Sequence, residues 1–251
     1  MSGRAIASGA AVPVLLLVLW QGACSAHLAP PYLLPSPAAV AARFGMELRG
    51  GTFGADVWAS VSRMLAGFTI GSAAGLAFGL LLGLSRIAER LFGPIFMGYR
   101  QIALFAWVPL LSMWFGGGET GKLAFISLSA FAPTVVSTWR ASRAIPAQFR
   151  ELAAVLTFRW PDYLHLVAWP SAMPGIMTGL RTALIHAWLA TVGAELFLDI
   201  APGLAGRLNE GRDKFEVDLM LVSLAVLALL GLASSQVAAF AETRLLRGRP
   251  R

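Results

Sequence analysis

The stretch MLAGFTIGSAAGLAFGLLLGLS, residues 64–85, is the strongest indication of fold class in this sequence. It contains no charged side chain, and a helix needs about 20 mostly apolar residues to cross the hydrocarbon of a bilayer. Glycine recurs at every fourth position in it, at Gly67, Gly71, Gly75, Gly79 and Gly83. Because each step of four residues advances about 40° around a helix, these glycines form a slowly winding groove. We expect another helix to approach closely there, either within one subunit or at a seam with a second subunit or a moving helix.

The composition of the whole chain agrees with a membrane protein. Of its 251 residues, 57% are hydrophobic and 13% are charged, whereas soluble domains carry about 25% charged residues. This balance excludes a soluble enzyme, a disordered chain and a collagen-like fibre. The single cysteine, Cys24, cannot form an internal disulfide, and no Cys and His residues stand at metal-ligand spacing. We therefore expect no disulfide and no metal site.

Five further windows are apolar enough, or nearly so, to cross a membrane. Together with Met64–Ser85, they are Ala10–Ala26, Leu91–Phe115, Leu123–Trp139, Ala172–Leu198 and Leu219–Ala241. The sequence thus predicts an all-α membrane protein with about six transmembrane helices. The first window could instead be a cleaved signal peptide, but it stays apolar through Ala26, beyond a short signal core, and we favour an uncleaved helix.

The basic residues set the expected orientation. The formal net charge is +7, and arginines cluster between the apolar windows. These clusters are Arg86 and Arg90; Arg140, Arg143, Arg150 and Arg159; and Arg244, Arg247, Arg249 and Arg251. Such clusters mark the cytoplasmic ends of membrane helices, so both termini are expected in the cytoplasm. No basic stripe is interleaved with exposed aromatics, and we expect no nucleic-acid partner.

A segment between the fourth and fifth windows, residues 140–170, is too polar to cross the membrane and too apolar for a plain loop. Pro146 can open one short amphipathic helix, and Pro161 with Asp162 suits the first turn of a second that ends near Pro170. Two such helices could simply lie on the lipid surface. A second interpretation follows from their residues.

This segment resembles the cytoplasmic loop of ATP-binding-cassette importer permeases, whose signature is Glu-Ala-Ala, three residues, Gly, nine residues, Ile, any residue, Leu-Pro. The matching positions are Glu151, Leu152, Ala153, Thr157, Val167, Trp169 and Pro170. Leu152, Thr157 and Trp169 depart from the pattern. Because a β-branched residue rarely adopts the positive φ that glycine tolerates, we expect a different helix angle at Thr157, or a bend at Arg159–Pro161 instead.

Other segments are similar, in the same order along the chain, to the nitrate, sulfonate and taurine branch of that family. They are Leu34–Pro37, Ser60–Phe68, Trp107–Leu110, Trp114–Gly116 leading to Gly118 and Glu119, Pro170–Pro174, Thr178–Arg181 and Ala187–Glu195. The resemblance implies a type I importer permease fold and import of a small anion such as a sulfonate, taurine or nitrate. Relatives in the branch import other small molecules, including vitamin precursors.

The resemblance also implies partners. The loop at residues 140–170, called the coupling loop below, would dock on a cytoplasmic P-loop ATPase that binds the ATP. Its expected contact residues are Glu151, Ala153, Ala154, Thr157, Phe158, Trp160 and Pro170. The other partners are an external or periplasmic solute-binding protein, a second permease copy in a homodimer, and the lipid of a bacterial cytoplasmic (inner) membrane.

The chain itself shows no catalytic pattern. It lacks the Gly-x-x-x-x-Gly-Lys-Ser/Thr phosphate loop, and its three histidines are scattered. We therefore expect no enzyme activity and no cofactor bound by this chain. An ATP-independent secondary transporter or a membrane-embedded enzyme remains an alternative, but the sequence shows neither an inverted repeat nor a clustered acidic or histidine set. A degenerate permease with weak ATPase docking is also open.

Four residues within the windows are candidates for the transport pathway: Arg100, Arg181, Trp188 and Glu195. An ionisable group inside a bilayer costs about 2.5 to 3.5 kcal/mol, so it usually has a function or a partner. Arg181, Trp188 and Glu195 are spaced by seven and share one helix face, but Arg181 and Glu195 are about 21 Å apart along the axis and cannot pair. Two interpretations are open for Arg100 and Arg181: they attract an anionic solute, or they brace neighbouring helices. Glu195 either lines the pathway or anchors the outer end of its helix.

The expected organisation has four parts. They are an N-terminal helix and the start of an external loop, 1–33; the external loop, 34–63; a permease core with the coupling loop, 64–245; and a basic cytoplasmic tail, 246–251.

Overall fold

The computed structural model describes residues 3–198 and 202–245, and every regular element in those ranges is helical. The side chains of residues 3–11, 13, 150, 154 and 245 lie outside the description, as does the predicted basic tail. The helices are α1 Gly3–Ser25, α2 Pro37–Arg49, α3 Phe53–Leu84, α4 Arg86–Tyr99, α5 Val108–Phe115, α6 Glu119–Arg143, α7 Ala147–Val155, α8 Trp160–Tyr163, α9 Trp169–Phe197, α10 Leu204–Asp213 and α11 Val217–Leu245. A 3₁₀ turn, Leu104–Trp107, precedes α5, and a π-helical turn, Leu164–Ala168, joins α8 to α9.

Within the described residues, three helices are long and apolar enough to cross a membrane: α3, α6 and most of α11. A fourth crossing is formed if α4 and the segment Leu104–Phe115, which are bent by 93°, count as one span. The predicted window Ala172–Leu198 falls on α9, whose most apolar stretch is less apolar than those of these three helices. The window Ala10–Ala26 falls on α1, of which the described part, Val14–Ser25, is apolar. In α9 the charged and hydroxyl side chains lower the mean hydropathy, although the helix is 29 residues long.

The third predicted window, Leu91–Phe115, was wrong as a single helix. Helix α4 ends at Tyr99, and the backbone at Ala103 is extended, with ψ of 134°. The chain then turns through a 3₁₀ segment, and Pro109 lies in the first turn of α5. Proline suits the start of a helix and lacks the N–H needed in its interior, so the apolar run is divided.

The stretch predicted as an external loop, residues 34–63, contains α2 and the first turns of α3. The hydroxyl of Ser36 accepts a hydrogen bond from the Ala39 N–H at 3.2 Å, and Pro37 occupies the first turn of α2. A serine cap followed by proline starts a helix, which explains why this proline-rich stretch is not a loop throughout.

The chain divides into two compact units, residues 1–59 with 200–229 and residues 60–199 with 230–251. In the first unit, Trp20 Nε1 donates to the Pro35 carbonyl at 3.1 Å, which ties α1 to the chain before α2. Arg207 of α10 is held by Glu47 and Asp56, and its guanidinium lies 5.5 Å from the centre of the Phe53 ring. Charge pairs therefore attach α10 to α2 and the start of α3.

The second unit is built around α6. All five glycines of the α3 groove lie against this helix, because a Cβ added at any of them would meet α6 atoms at between 2.2 and 2.8 Å. On another side of α6, Gly175 and Gly179 of α9 contact Ala141 and Ser137. Small residues thus allow α3 and α9 to approach the α6 backbone closely, as packing in a bilayer favours.

Candidate functional site

The coupling loop consists of α7, a tight turn and α8, which continues through the π-helical turn into α9. The second predicted helix was expected to end near Pro170. Instead α8 is only four residues long, and Pro170 lies in the first turn of α9. The loop is therefore continuous with a long helix of the second unit.

Of the two alternatives expected at Thr157, the displacement of the bend to Arg159–Pro161 was wrong. Thr157 has φ of 51°, in the left-handed region, so the chain turns at the position of the family glycine. The Phe158 N–H donates to the Ala153 carbonyl at 3.0 Å, and the Leu156 N–H donates to the Leu152 carbonyl at 2.9 Å. This is a six-to-one helix ending, which requires a left-handed residue just after the helix cap. The backbone hydrogen bonds offset the strain of a β-branched residue there.

The outer face of this loop is apolar and exposed. Its large exposed side chains are Leu152, Val155, Leu156 and Trp160, with Val155 79% and Trp160 59% exposed. Glu151 is exposed beside them, Phe158 and Pro170 are half-buried, and Ala153 is buried. The side chain of Ala154, another predicted contact, lies outside the described part of the chain.

A buried ion network lies at the other end of α9. Glu195 is 1% exposed, and its Oε1 accepts hydrogen bonds from Arg63 Nη1 and from the Ser60 hydroxyl, both at 2.7 Å. Arg63 also donates through Nε and Nη2 to the two carboxylate oxygens of Glu119, at 2.6 and 2.7 Å. One guanidinium therefore joins α3, α6 and α9. Glu195 is thus held among these helices by Arg63 and Ser60.

Arg181 has a carboxylate partner on α11. Its Nη1 lies 3.3 Å from Glu242 Oε2, and the Thr178 hydroxyl donates to Glu242 Oε1 at 3.1 Å. Trp188 is buried against the same helix, since a Cβ added at Gly231 would lie 2.7 Å from its Nε1. The face that carries Arg181, Trp188 and Glu195 thus packs against other helices.

Arg100 lies where α4 ends, at the break in the predicted third span, and its side chain is exposed. It lines a cavity of about 530 Å³ between the segment 99–107, α6 and α9. His186 of α9 lines the same cavity, and so do Tyr99, Trp107 and Ser137. Of the four pathway candidates, the structure places only Arg100 in this cavity.

Sequence reasoning missed the partners of these charges. Arg63 and Glu195 are separated by 132 positions and Arg181 and Glu242 by 61. A single sequence gives no measure of proximity over such distances. The available indication was that each charge needs a partner inside a membrane, which predicts that partners exist but not which residues they are.

A helical membrane protein with an exposed apolar loop and a cavity between helices has features typical of a transport permease. Residues 71–247 match the family described as binding-protein-dependent transport system inner membrane component, and the chain belongs to this family. It is the membrane-spanning permease subunit of an importer of the ATP-binding-cassette type, and not an enzyme.

Similar proteins cover nearly the whole chain. The riboflavin transport system permease protein RibX of Chloroflexus aurantiacus is 35% identical over 93% of this chain and 87% of its own length. The putative aliphatic sulfonates transport permease protein SsuC of Bacillus subtilis is 28% identical over 96% of this chain and 87% of its own length. A chain in the inward-facing crystal structure of the MetNI methionine ABC transporter has a TM-score of 0.65 and 19% identity, over 80% of this chain and 97% of that one. This likeness shows the shared fold.

Proposed function

We propose that this permease couples import of a small anionic solute to a separate cytoplasmic P-loop ATPase through the coupling loop. The observation that carries the proposal is the exposed apolar face of Leu152, Val155, Leu156 and Trp160 beside Glu151. Contiguous exposed apolar side chains with a polar rim are typical of protein interaction sites. Family membership identifies the class of partner that such a face would serve.

The remaining parts of the proposed assembly follow from the family and from the charge pattern. ATP is bound by the ATPase, and an external binding protein delivers the solute. The chain works as a homodimer in a bacterial inner membrane, with both termini and the coupling loop in the cytoplasm. The arginine clusters at residues 86–90, 140–159 and 244–251 support this orientation.

The solute is proposed to be a sulfonate, taurine or nitrate. A relative named for aliphatic sulfonates supports this class, and so does Arg100 in the cavity wall. The relative named for riboflavin favours a vitamin-type solute as the second candidate.

The coupling proposal is tested by purifying the tagged full chain from its native membrane in mild detergent and identifying bound proteins by mass spectrometry. Glu151→Arg reverses the charge at the edge of the apolar face and is expected to reduce the bound ATPase at least tenfold. Asp213→Arg is the matched control, because Asp213 is also exposed but lies on α10 and pairs with its neighbour Arg212. It is expected to retain the ATPase.

A stoichiometric P-loop ATPase with the native chain and the control, but not with Glu151→Arg, supports the proposal. Absence of any ATPase from the native complex, or equal amounts with Glu151→Arg, contradicts it.

A further inference from the structure

Arg100 differs from Arg63 and Arg181 in its contacts. Arg63 binds Glu119 and Glu195, and Arg181 binds Glu242. Among the described residues, Arg100 forms no ion pair, and its hydrogen bond is a weak one from Nη1 to Met97 Sδ at 3.8 Å. A guanidinium in a membrane protein is costly unless it meets an anion or water. Its position on a cavity wall leaves it accessible to an anion.

The other polar groups of the cavity are also suited to a ligand. No carboxylate is among the described residues that line it. His186 Nδ1 lies 2.9 Å from the Thr182 carbonyl oxygen, which can only accept a hydrogen bond, so Nδ1 is the donor. In the neutral ring Nε2 is then an acceptor, so His186 adds no negative charge to the cavity. Trp107 and Ser137 also line this wall. The cavity therefore offers a positive charge and neutral hydrogen-bonding groups.

The rest of the cavity surface is apolar and aromatic. The rings of Tyr99 and Trp107 lie with their centres 5.8 Å apart, and Leu104, Leu128 and Val136 are among the apolar residues that also line the cavity. The volume of about 530 Å³ falls within the range of about 300 to 1,000 Å³ that small-molecule sites occupy. An inorganic anion would use the charge and leave this apolar surface without a contact.

We propose that the cavity binds an organic monoanion, with its anionic group on Arg100 and its carbon skeleton against Tyr99 and Trp107. This inference rests on the proposed function and narrows its solute class to organic sulfonates, in preference to nitrate. A cation is disfavoured by Arg100, and a neutral molecule of the same shape lacks the charge-assisted hydrogen bond.

The test measures binding to the purified full chain in lipid nanodiscs by isothermal titration. The three probes are benzenesulfonate, the neutral benzenesulfonamide of similar shape, and nitrate. Benzenesulfonate is expected to bind at least tenfold more tightly than either of the others. Saturable binding of nitrate with equal or higher affinity, or no binding of benzenesulfonate, overturns the proposal.

Variants assign the binding to the cavity. Arg100→Gln is expected to lower the affinity for benzenesulfonate at least tenfold, to that of the native chain for benzenesulfonamide. Arg90→Gln is the matched control, because Arg90 is an exposed arginine on the same helix but does not line the cavity. It is expected to bind as the native chain does. Equal affinity for native chain and folded Arg100→Gln overturns the proposal.

A second variant covers the case in which Arg100→Gln does not fold. Ala132 of α6 lines the cavity, and Ala132→Leu fills part of it while Arg100 is kept. Loss of benzenesulfonate binding by at least tenfold supports the proposal, and unchanged affinity overturns it. ATPase co-purification is scored separately: a bound ATPase without benzenesulfonate binding rejects this inference alone, whereas absence of the ATPase rejects the proposed function.

Discussion

Glu119 and Glu195 bind the same guanidinium, that of Arg63, but differ in exposure. The side chain of Glu119 is 56% exposed and that of Glu195 is not exposed. An exposed ion pair contributes little, because water solvates both charges well when the pair is broken. A buried pair is different, since removal of one partner leaves an uncompensated charge in a medium of low dielectric constant.

We therefore expect Glu195→Gln to destabilise the protein by about 3 kcal/mol and Glu119→Gln by less than about 1 kcal/mol. Both variants remove one carboxylate charge from Arg63, so each is the control for the other. Thermal unfolding of the purified chain in detergent measures the difference. Equal shifts in Tm for the two variants would contradict the buried position of Glu195.

Substitution of Thr157 is expected to raise stability, in contrast to the two glutamate substitutions. Glycine adopts a positive φ without the steric cost that threonine has, so Thr157→Gly is expected to stabilise the coupling loop by up to about 1 kcal/mol. Trypsin is expected to cleave after Arg159 more slowly than in the native chain, and mass spectrometry measures the rate. Val155→Gly is the control, because Val155 lies two positions earlier in α7, where glycine weakens a helix. Faster cleavage in Thr157→Gly would refute the strain argument.

At the scale of the helices, the glycine groove of α3 determines how closely α6 can approach. A Cβ at Gly71 would lie 2.2 Å from the Ser127 carbonyl oxygen, which is backbone and cannot rotate away. Gly98 of α4 has no atom within 4 Å of the same hypothetical Cβ. Two glycines in apolar helices thus differ in what surrounds them.

Gly71→Ala is expected to lower stability by about 1 to 3 kcal/mol, because the two backbones must separate. Gly98→Ala is expected to be neutral or stabilising by up to about 1 kcal/mol, since alanine favours the helix. Unfolding temperatures of the two variants, measured side by side in the same detergent, check the contrast. A loss of stability in Gly98→Ala as large as that in Gly71→Ala would show that packing against α6 is not the cause.

The helices also show where sequence reasoning succeeds. Spacing by four predicts a close-approach face on α3, since it depends only on helix geometry. Its partner, α6, could not be predicted, because Ile126 and Thr134 carry no pattern that complements glycine. The break after Tyr99 was missed because hydropathy stays high across it, and only the backbone at Ala103 and the 3₁₀ turn divide the run.

At the scale of the whole molecule, distant parts of the sequence are joined by charge. In the first unit Arg207 contacts Glu47, Asp56 and the Thr52 hydroxyl, the last at 2.6 Å. These contacts connect residues more than 150 positions apart. Composition and span counting predict the membrane class, but such connections depend on the fold and were not predicted from the sequence.

Arg207→Ala is expected to release α10 from the first unit, because two carboxylates that are mostly buried lose their shared cation. Hydrogen exchange at the α10 amides is expected to accelerate by about tenfold or more, corresponding to a local loss of at least about 1.4 kcal/mol. Arg212→Ala is the control, since Arg212 is exposed and pairs with its neighbour Asp213. Unchanged exchange in Arg207→Ala would mean that other contacts hold α10.

The π-helical turn between α8 and α9 has a mechanical consequence. Because no flexible linker separates α8 from α9, a force on Trp160 acts directly on α9, which is about 43 Å long. Near its start this helix lies in close contact with α6 at Gly175 and Gly179. A displacement of Trp160 would therefore be carried along α9 to its other end, where Glu195 binds Arg63.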